Sequence, residues 1–150
     1  MNLRINLMIA FLLFGFMSAC SLVTNTGGLL SYGEDLPEPE PGKASIIGKV
    51  TSIDDGKPIG DVAVRLAEVY RQGDQGAYVL DGAQSPGDIT DELGKFFIQD
   101  VEAKEYVIVV GDVYSSYDII SESSGEAKVF NAISDEILDV GELEVDIITN

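Results

Sequence analysis

The sequence predicts an all-β protein, a Greek-key β-sandwich of about seven strands. Three observations predict it. Short stretches alternate apolar and polar residues with the period of two that belongs to strands. Turn signals rich in Gly, Pro and Asp separate them at regular intervals. No segment carries a convincing amphipathic helical period.

The elements follow in chain order. Ile46, Gly48 and Val50 share one face of a first strand, and Ile47, Lys49 and Thr51 share the other. Asp54-Asp55-Gly56-Lys57-Pro58 is a turn, because Gly and Pro supply its backbone angles. Val62, Val64 and Leu66 alternate with Ala63, Arg65 and Ala67 in a second strand. Residues 77–80 make a third, closed by Asp81-Gly82. Phe96 and Ile98 alternate with Phe97 in the next. Tyr106, Ile108 and Val110 alternate with Val107 and Val109, so this strand is expected to be buried on both faces. Residues 128–132 and 143–148 complete the set, and 133–140 reads as loop or strand. Phe96, Ile98, Tyr106, Ile108 and Val110 are expected to fill the core between the sheets. Residues 70–78 read as a hairpin tip in which Arg71, Tyr70 and Tyr78 form one contact surface.

Charge and composition exclude several functions. The 150 residues hold nine Lys and Arg against 26 Asp and Glu, a formal charge of −17. No basic cluster exists for a phosphate backbone, which argues against nucleic acid, and the same deficit argues against docking on anionic headgroups. The chain has one cysteine and no histidine. An internal disulfide and a Ser-His-Asp site are therefore impossible. No pair of carboxylates stands out as a hydrolytic acid and base, so no catalytic residue is expected and the protein is read as a non-enzyme. Acids gather at Asp54, Asp55 and Asp61, at Asp88, Asp91 and Glu92, and at Asp135, Glu136 and Asp139. Calcium takes several oxygen ligands, which makes a calcium-dependent adhesion module one alternative. None of the clusters fits an EF-hand loop, and no cofactor or metal is expected. An internal isopeptide bond is not expected at Lys49, which alternation turns toward solvent.

The N-terminus reads as an address. Met1 to Asn6 is short and polar with Arg4, residues 7–16 are almost unbroken apolar, and Met17-Ser18-Ala19-Cys20 follows. This is the layout of a secretory signal peptide, and its apolar run falls short of the roughly 20 residues of a membrane span. Met17-Ser18-Ala19-Cys20 resembles the bacterial lipobox: an apolar residue, two small ones and the cysteine. The resemblance implies cleavage between Ala19 and Cys20 and lipid, including palmitate, on Cys20. It also implies attachment to the extracytoplasmic side of the cell envelope. Ser21, where Asp is absent, resembles outer-membrane lipoproteins if the source has two membranes. Without Arg4, eight basic residues face 26 acids, about −18.

The chain is thus divided into a signal peptide (1–19), a lipid-anchored flexible tether (20–43) and a sandwich (44–150). Pro37-Glu38-Pro39-Glu40-Pro41-Gly42 reads as an extended polyproline-type spacer, which at about 3.1 Å per residue would reach roughly 19 Å.

Within the sandwich, Gly48-Lys49-Val50-Thr51, Gly56-Lys57-Pro58-Ile59 and Val62-Ala63-Val64 resemble the opening of carboxypeptidase regulatory-like domains. Thr90-Asp91-Glu92-Leu93-Gly94-Lys95-Phe96-Phe97-Ile98 and Glu105-Tyr106-Val107-Ile108-Val109 continue it. Lys104-Glu105 departs from the usual Pro-Gly, and Leu93 from the usual Asn or Asp. The resemblance covers roughly residues 46–110. It implies a transthyretin-like sandwich in a non-catalytic accessory, stalk or binding role. The expected function is a lipid-anchored envelope module for binding or presentation. The alternative is a structural subunit of an envelope complex with a protein partner.

Overall fold

Alternation along the chain becomes two facing sheets in the computed structural model, which describes residues 36–73 and 75–148. Nine strands are present among these residues: β1 (Lys43–Ser52), β2 (Ala63–Gln72), β3 (Gln75–Val79), β4 (Gly87–Ile89), β5 (Lys95–Glu102), β6 (Glu105–Gly111), β7 (Tyr117–Ile119), β8 (Val129–Asn131) and β9 (Ile137–Val145). The protein is an all-β sandwich. One sheet has the order β5-β1-β9, with β1 antiparallel to β5 and parallel to β9. The other is centred on the antiparallel pair β2 and β6. β3 and β4 share the outer edge of β2, and β7 and β8 share the outer edge of β6.

The core lies between the sheets. Ile46 and Val50, Val64 and Leu66, Phe96 and Ile98, Tyr106, Ile108 and Val110 are all buried there, with Leu143 and Val145 from β9. Burying each such side chain contributes about 1.5–3 kcal/mol. The five residues read from sequence as core are all in it. β6 is buried on both faces, as its sequence predicts. Val107 and Val109 sit with Ala67 in a second, smaller cluster on the far side of the sheet. Leu80 and Ala127, from the excursions that interrupt the two edges, pack over that cluster.

Two bulges explain where simple alternation fails. Ala44 and Ile46, two apart in β1, pair with Val101 and Ile98, three apart in β5. The extra residue, with Asp100 at φ 55°, lets Ile98 and Val101 both face the core. In β9 the partners of Ile47 and Lys49 are Asp139 and Glu142. Gly141, at φ 77°, supplies the extra residue, and its N–H donates to Asp139 Oδ1 at 2.8 Å. Leu138 and Val140 therefore pack inward before the bulge, and Leu143 and Val145 after it. This shift in parity after Val140 divides one strand between the stretches read in sequence as 133–140 and 143–148, of which 133–136 and 146–148 lie outside it. Residues 137–145 are one strand.

The β4–β5 connection has the turn its sequence predicts. Asp91 Oδ1 accepts the N–H groups of Leu93 and Lys95, both at 2.8 Å, and Gly94 sits at φ 74°. A Cβ on Gly94 would lie 2.4 Å from the Val50 carbonyl oxygen, so glycine is required by approach as well as by angle.

Three expectations are corrected. The strand count among the described residues is nine, because β4 and β7 add to the seven expected strands and have three residues each, too few to show alternation, whereas the expected strand at 128–132 is present as β8. The end of the expected spacer is bound to the domain: Glu40 N–H donates to Asp100 Oδ1 at 2.6 Å and Gly42 N–H to Asp135 Oδ1 at 2.8 Å. The sandwich thus begins at Glu40 rather than after Lys43, and Lys43 is already in β1. Lys49 is only one-quarter exposed and pairs with Glu142 at 2.7 Å. Ala19 and Cys20, and with them the signal-peptide and lipidation readings, lie outside the described residues.

Candidate functional site

Strand direction gives the sandwich two unlike ends. β1 enters at Lys43 and leaves at Ser52. Because β5 is antiparallel to β1 and β9 parallel, the 90–94 turn and the C-terminal residues 146–148 lie at the leaving end. The β1–β2 connection and the β6–β7 turn (112–116) join them there. Ile148 N–H donates to Ser116 Oγ at 2.9 Å, and Ile53 N–H to the Val145 carbonyl at 3.0 Å. Side-chain burial is abandoned at this end. Ile53, Ile89, Leu93 and Val113 are exposed, Ile148 is 78% exposed and Tyr114 is 93% exposed. Turn geometry holds them out. Asp112 Oδ1 accepts Tyr114 N–H at 2.9 Å and Asp91 Oδ1 accepts Leu93 N–H at 2.8 Å, so these two side chains sit on Asp-capped turns. Asp54, Asp61, Glu92 and Asp112 lie on the same connections, and Asp61 and Asp112 line a depression with Ile89 and Ile148. Grouped exposed apolar residues rimmed by polar ones are the usual mark of an interaction site. That depression, of about 430 Å³, runs between Gly60, Asp61, Ile89, Asp112, Ser116 and Ile148.

The entering end holds the β2–β3 hairpin, whose Tyr70 and Val79 are exposed beyond the core. Beneath it is a groove of about 380 Å³ between the sheets, with Tyr70 and Val79 on one side, Lys43, Asp100 and Glu102 on the other, and Leu66 and Tyr106 at its base. Its ionisable groups are engaged. The Lys43 ammonium hydrogen-bonds Glu102 and holds that carboxyl below its ordinary range. Lys104 Nζ donates to Glu68 at 2.8 Å, which raises the lysine. Burial pushes the Tyr106 phenol up, and its hydroxyl donates to the Glu102 carbonyl at 3.0 Å.

The predicted surface of Arg71, Tyr70 and Tyr78 is divided. Val69 pairs with Tyr78 and Tyr70 with Ala77, so the two tyrosines leave opposite faces of the hairpin. Arg71 shares the face of Tyr78 and forks onto Glu105, with bonds of 2.6 and 3.1 Å. The guanidinium lowers Glu105 below its ordinary range.

The acidic clusters mostly serve the backbone. Asp55 pairs with Lys57 at 2.5 Å, and that hydrogen bond lowers its carboxyl. Asp88 accepts Ile89 and Phe97 N–H groups, and Asp91, Asp135 and Asp139 accept those already named. Among the described residues no three acids converge on a point that could hold a metal ion. The loop end was missed in sequence because its residues are far apart in the chain. Its signal was present locally: Leu93, Val113 and Tyr114 are apolar residues inside polar turns, outside any alternating stretch.

No family model and no curated protein matches the chain. Among solved structures, a 9R-lipoxygenase from Cyanothece PCC8801 is 15% identical over 75% of this chain and 18% of its own, with a TM-score of 0.38. A proposed carbohydrate-binding protein from Pseudomonas aeruginosa is 16% identical over 75% of this chain and 99% of its own, with a TM-score of 0.41. A catechol 1,2-dioxygenase from Acinetobacter sp. ADP1 is 12% identical over 74% of this chain and 55% of its own, with a TM-score of 0.36. This chain thus spans a small part of the lipoxygenase and about half of the dioxygenase. Likenesses this distant say nothing about ligand or activity.

Proposed function

We propose that this chain is a non-catalytic, lipid-anchored β-sandwich of the cell envelope that binds or presents a partner protein through the loop end farthest from its tether. The observation that carries the binding part is the set of exposed apolar residues at one end of the sandwich: Leu93, Val113 and Tyr114 on Asp-capped turns, with Ile53 and Ile148 on backbone bonded to Val145 and Ser116. Rigid apolar tips on a rigid scaffold lose little entropy on docking. The acids on the same connections fit a partner surface with an apolar centre and a Lys/Arg rim. The anchoring part is supported by Met17-Ser18-Ala19-Cys20, with the only cysteine of the chain where the lipobox requires it.

Each part has its own test. Cys20→Ser should move the protein from the membrane to the soluble extracytoplasmic fraction; identical fractionation of both forms would sink the anchor. The double variant Leu93→Ser, Tyr114→Ser changes only exposed side chains and should leave the melting temperature within a few degrees of wild type. From solubilised membranes it should lose a companion that the wild type retains in stoichiometric amount. Equal recovery with both forms would remove the loop end as the binding surface.

A further inference from the structure

The edges of the two sheets are not equally protected. An exposed edge strand presents unpaired N–H and C=O groups, and proteins blunt such edges with short strands, charges, prolines or bulges. β4, β7 and β8 are blunted by having three residues. β5 and β9 are blunted by their bulges and by charges, Asp100 and Glu102 on one, Glu142 and Glu144 on the other. β3 has none of these devices. It is the last strand on its side of the sheet, it has five residues, and all five are exposed. Its sequence, Gln75-Gly76-Ala77-Tyr78-Val79, contains no charge and no proline. Every second N–H and C=O of an edge strand points away from its neighbour. Among the described residues none of those groups on β3 has another backbone partner.

We infer that the free edge of β3 is a strand-addition site for a second copy of this chain, pairing residues 75–79 antiparallel with the same strand of the other copy. The charge pattern beside β3 favours that occupant. The whole chain is at −17, so two copies repel wherever acids are unbalanced. β3 itself is neutral, and the ionic side chains on the part of β2 that pairs with it are balanced locally, Arg71 by Glu105 and Glu68 by Lys104. Like copies can meet here without placing like charges opposite each other, whereas a basic peptide finds no acid on the strand to prefer it. The sequence is also self-complementary about its centre. Pairing about Ala77 sets Ala77 opposite Ala77, Gln75 opposite Val79, and each Tyr78 opposite a Gly76, where the ring covers the bare glycine backbone. The contact is two-fold and closed, so it ends at a dimer.

The full chain carrying Cys20→Ser, which leaves no other thiol, is the protein to test. Sedimentation equilibrium should show a monomer–dimer equilibrium. Ala77→Lys, which puts two ammonium groups on the axis, should raise the dissociation constant about tenfold or more without changing the melt. A short bis-maleimide should link Ala77→Cys to its twin efficiently and Ser123→Cys, also exposed, poorly. Added salt should tighten the dimer by screening the repulsion between copies. A chain that stays monomeric, a dimer indifferent to Ala77→Lys, equal linking at both positions, or a dimer that salt dissolves would each overturn the assignment.

Discussion

The two edges of the β2–β6 sheet are built alike and sealed differently. Each is a pair of short strands interrupted by an excursion: β3, residues 80–86 and β4 along β2, and β7, residues 120–128 and β8 along β6. Each closes its side of the sandwich with an inward aspartate in the middle of a three-residue strand. Asp88 takes the N–H of Ile89 and reaches across to Phe97 N–H in β5, both at 2.8 Å. Asp118 takes the N–H of Ile119 at 2.8 Å and reaches across to Asp146 N–H beyond β9 at 3.1 Å. Two residues on, the edges diverge. Thr90 is buried with its hydroxyl donating to the Ile59 carbonyl at 2.8 Å and accepting Val62 N–H at 3.0 Å. The equivalent Ile120 is buried in the apolar core. The β4 edge is sealed by directional bonds and the β7 edge mainly by packing. Directional seals fail abruptly and packed seals fail gradually, because an orphaned buried donor costs its whole desolvation while a smaller apolar side chain loses only part of its contacts.

The largest expected contrast lies in the turns that follow. Gly94→Ala combines a left-handed backbone with overlap on the Val50 carbonyl and should cost about 3 kcal/mol or more. Gly125→Ala, at φ 85° with open space around it, should cost about 1–2 kcal/mol. Urea unfolding of both measures the difference, and equal losses would mean that the approach to Val50 does not constrain the turn. Next come the buried pair. Thr90→Val should lose about 1–3 kcal/mol by orphaning two backbone groups, against about 0.5–1.5 kcal/mol for Ile120→Val. A larger loss at Ile120 would reverse the assignment of seals. Asp88→Ala and Asp118→Ala sharpen the comparison further. Asp88 bonds a partly buried amide and Asp118 an exposed one that water can satisfy, so amide exchange should accelerate at Phe97 far more than at Asp146.

The smallest effect is electrostatic. Glu102 and Glu105 are held below their ordinary 4.5 by hydrogen bonds from Lys43 and Arg71. A lowered folded value favours the folded state fully above the unfolded value and less as pH falls through the folded one. Both pairs flank the groove and hairpin beside β3, and both are exposed, so the loss is slight. Exchange at the β3 hairpin should rise below about pH 4.5 before exchange at β7 does. Simultaneous onset would show that these pairs contribute nothing local.

These elements differ in how far the sequence discloses them. β1, β2 and β6 were legible because each alternates over at least five residues, and the Asp91–Gly94 turn because Asp and Gly at that spacing have a backbone purpose. β4 and β7 were not, since Gly87-Asp88-Ile89 and Tyr117-Asp118-Ile119 are shorter than any period and are defined by a cross-sheet bond. The bulges at Asp100 and Gly141 reverse parity within a strand, which hides strand character from a count of alternation. The division of Tyr70 from Tyr78 depends on the two-residue connection between Gln72 and Gln75: one residue more would place them on one face. The loop end was illegible as a unit because Ile53, Leu93, Tyr114 and Ile148 come to one end of the sandwich only through the antiparallel return of β5 and the parallel return of β9.

That parallel return also governs how the protein bears load. A pull between the chain before Lys43 and the loop end runs along the axis of β1, which is gripped on one side by β5 and on the other by β9. Both ladders then bear the pull in shear, with many bonds strained together, whereas a strand peeled from an edge gives way one bond at a time. The strand next to the N-terminal segment is therefore the one best placed to resist tension.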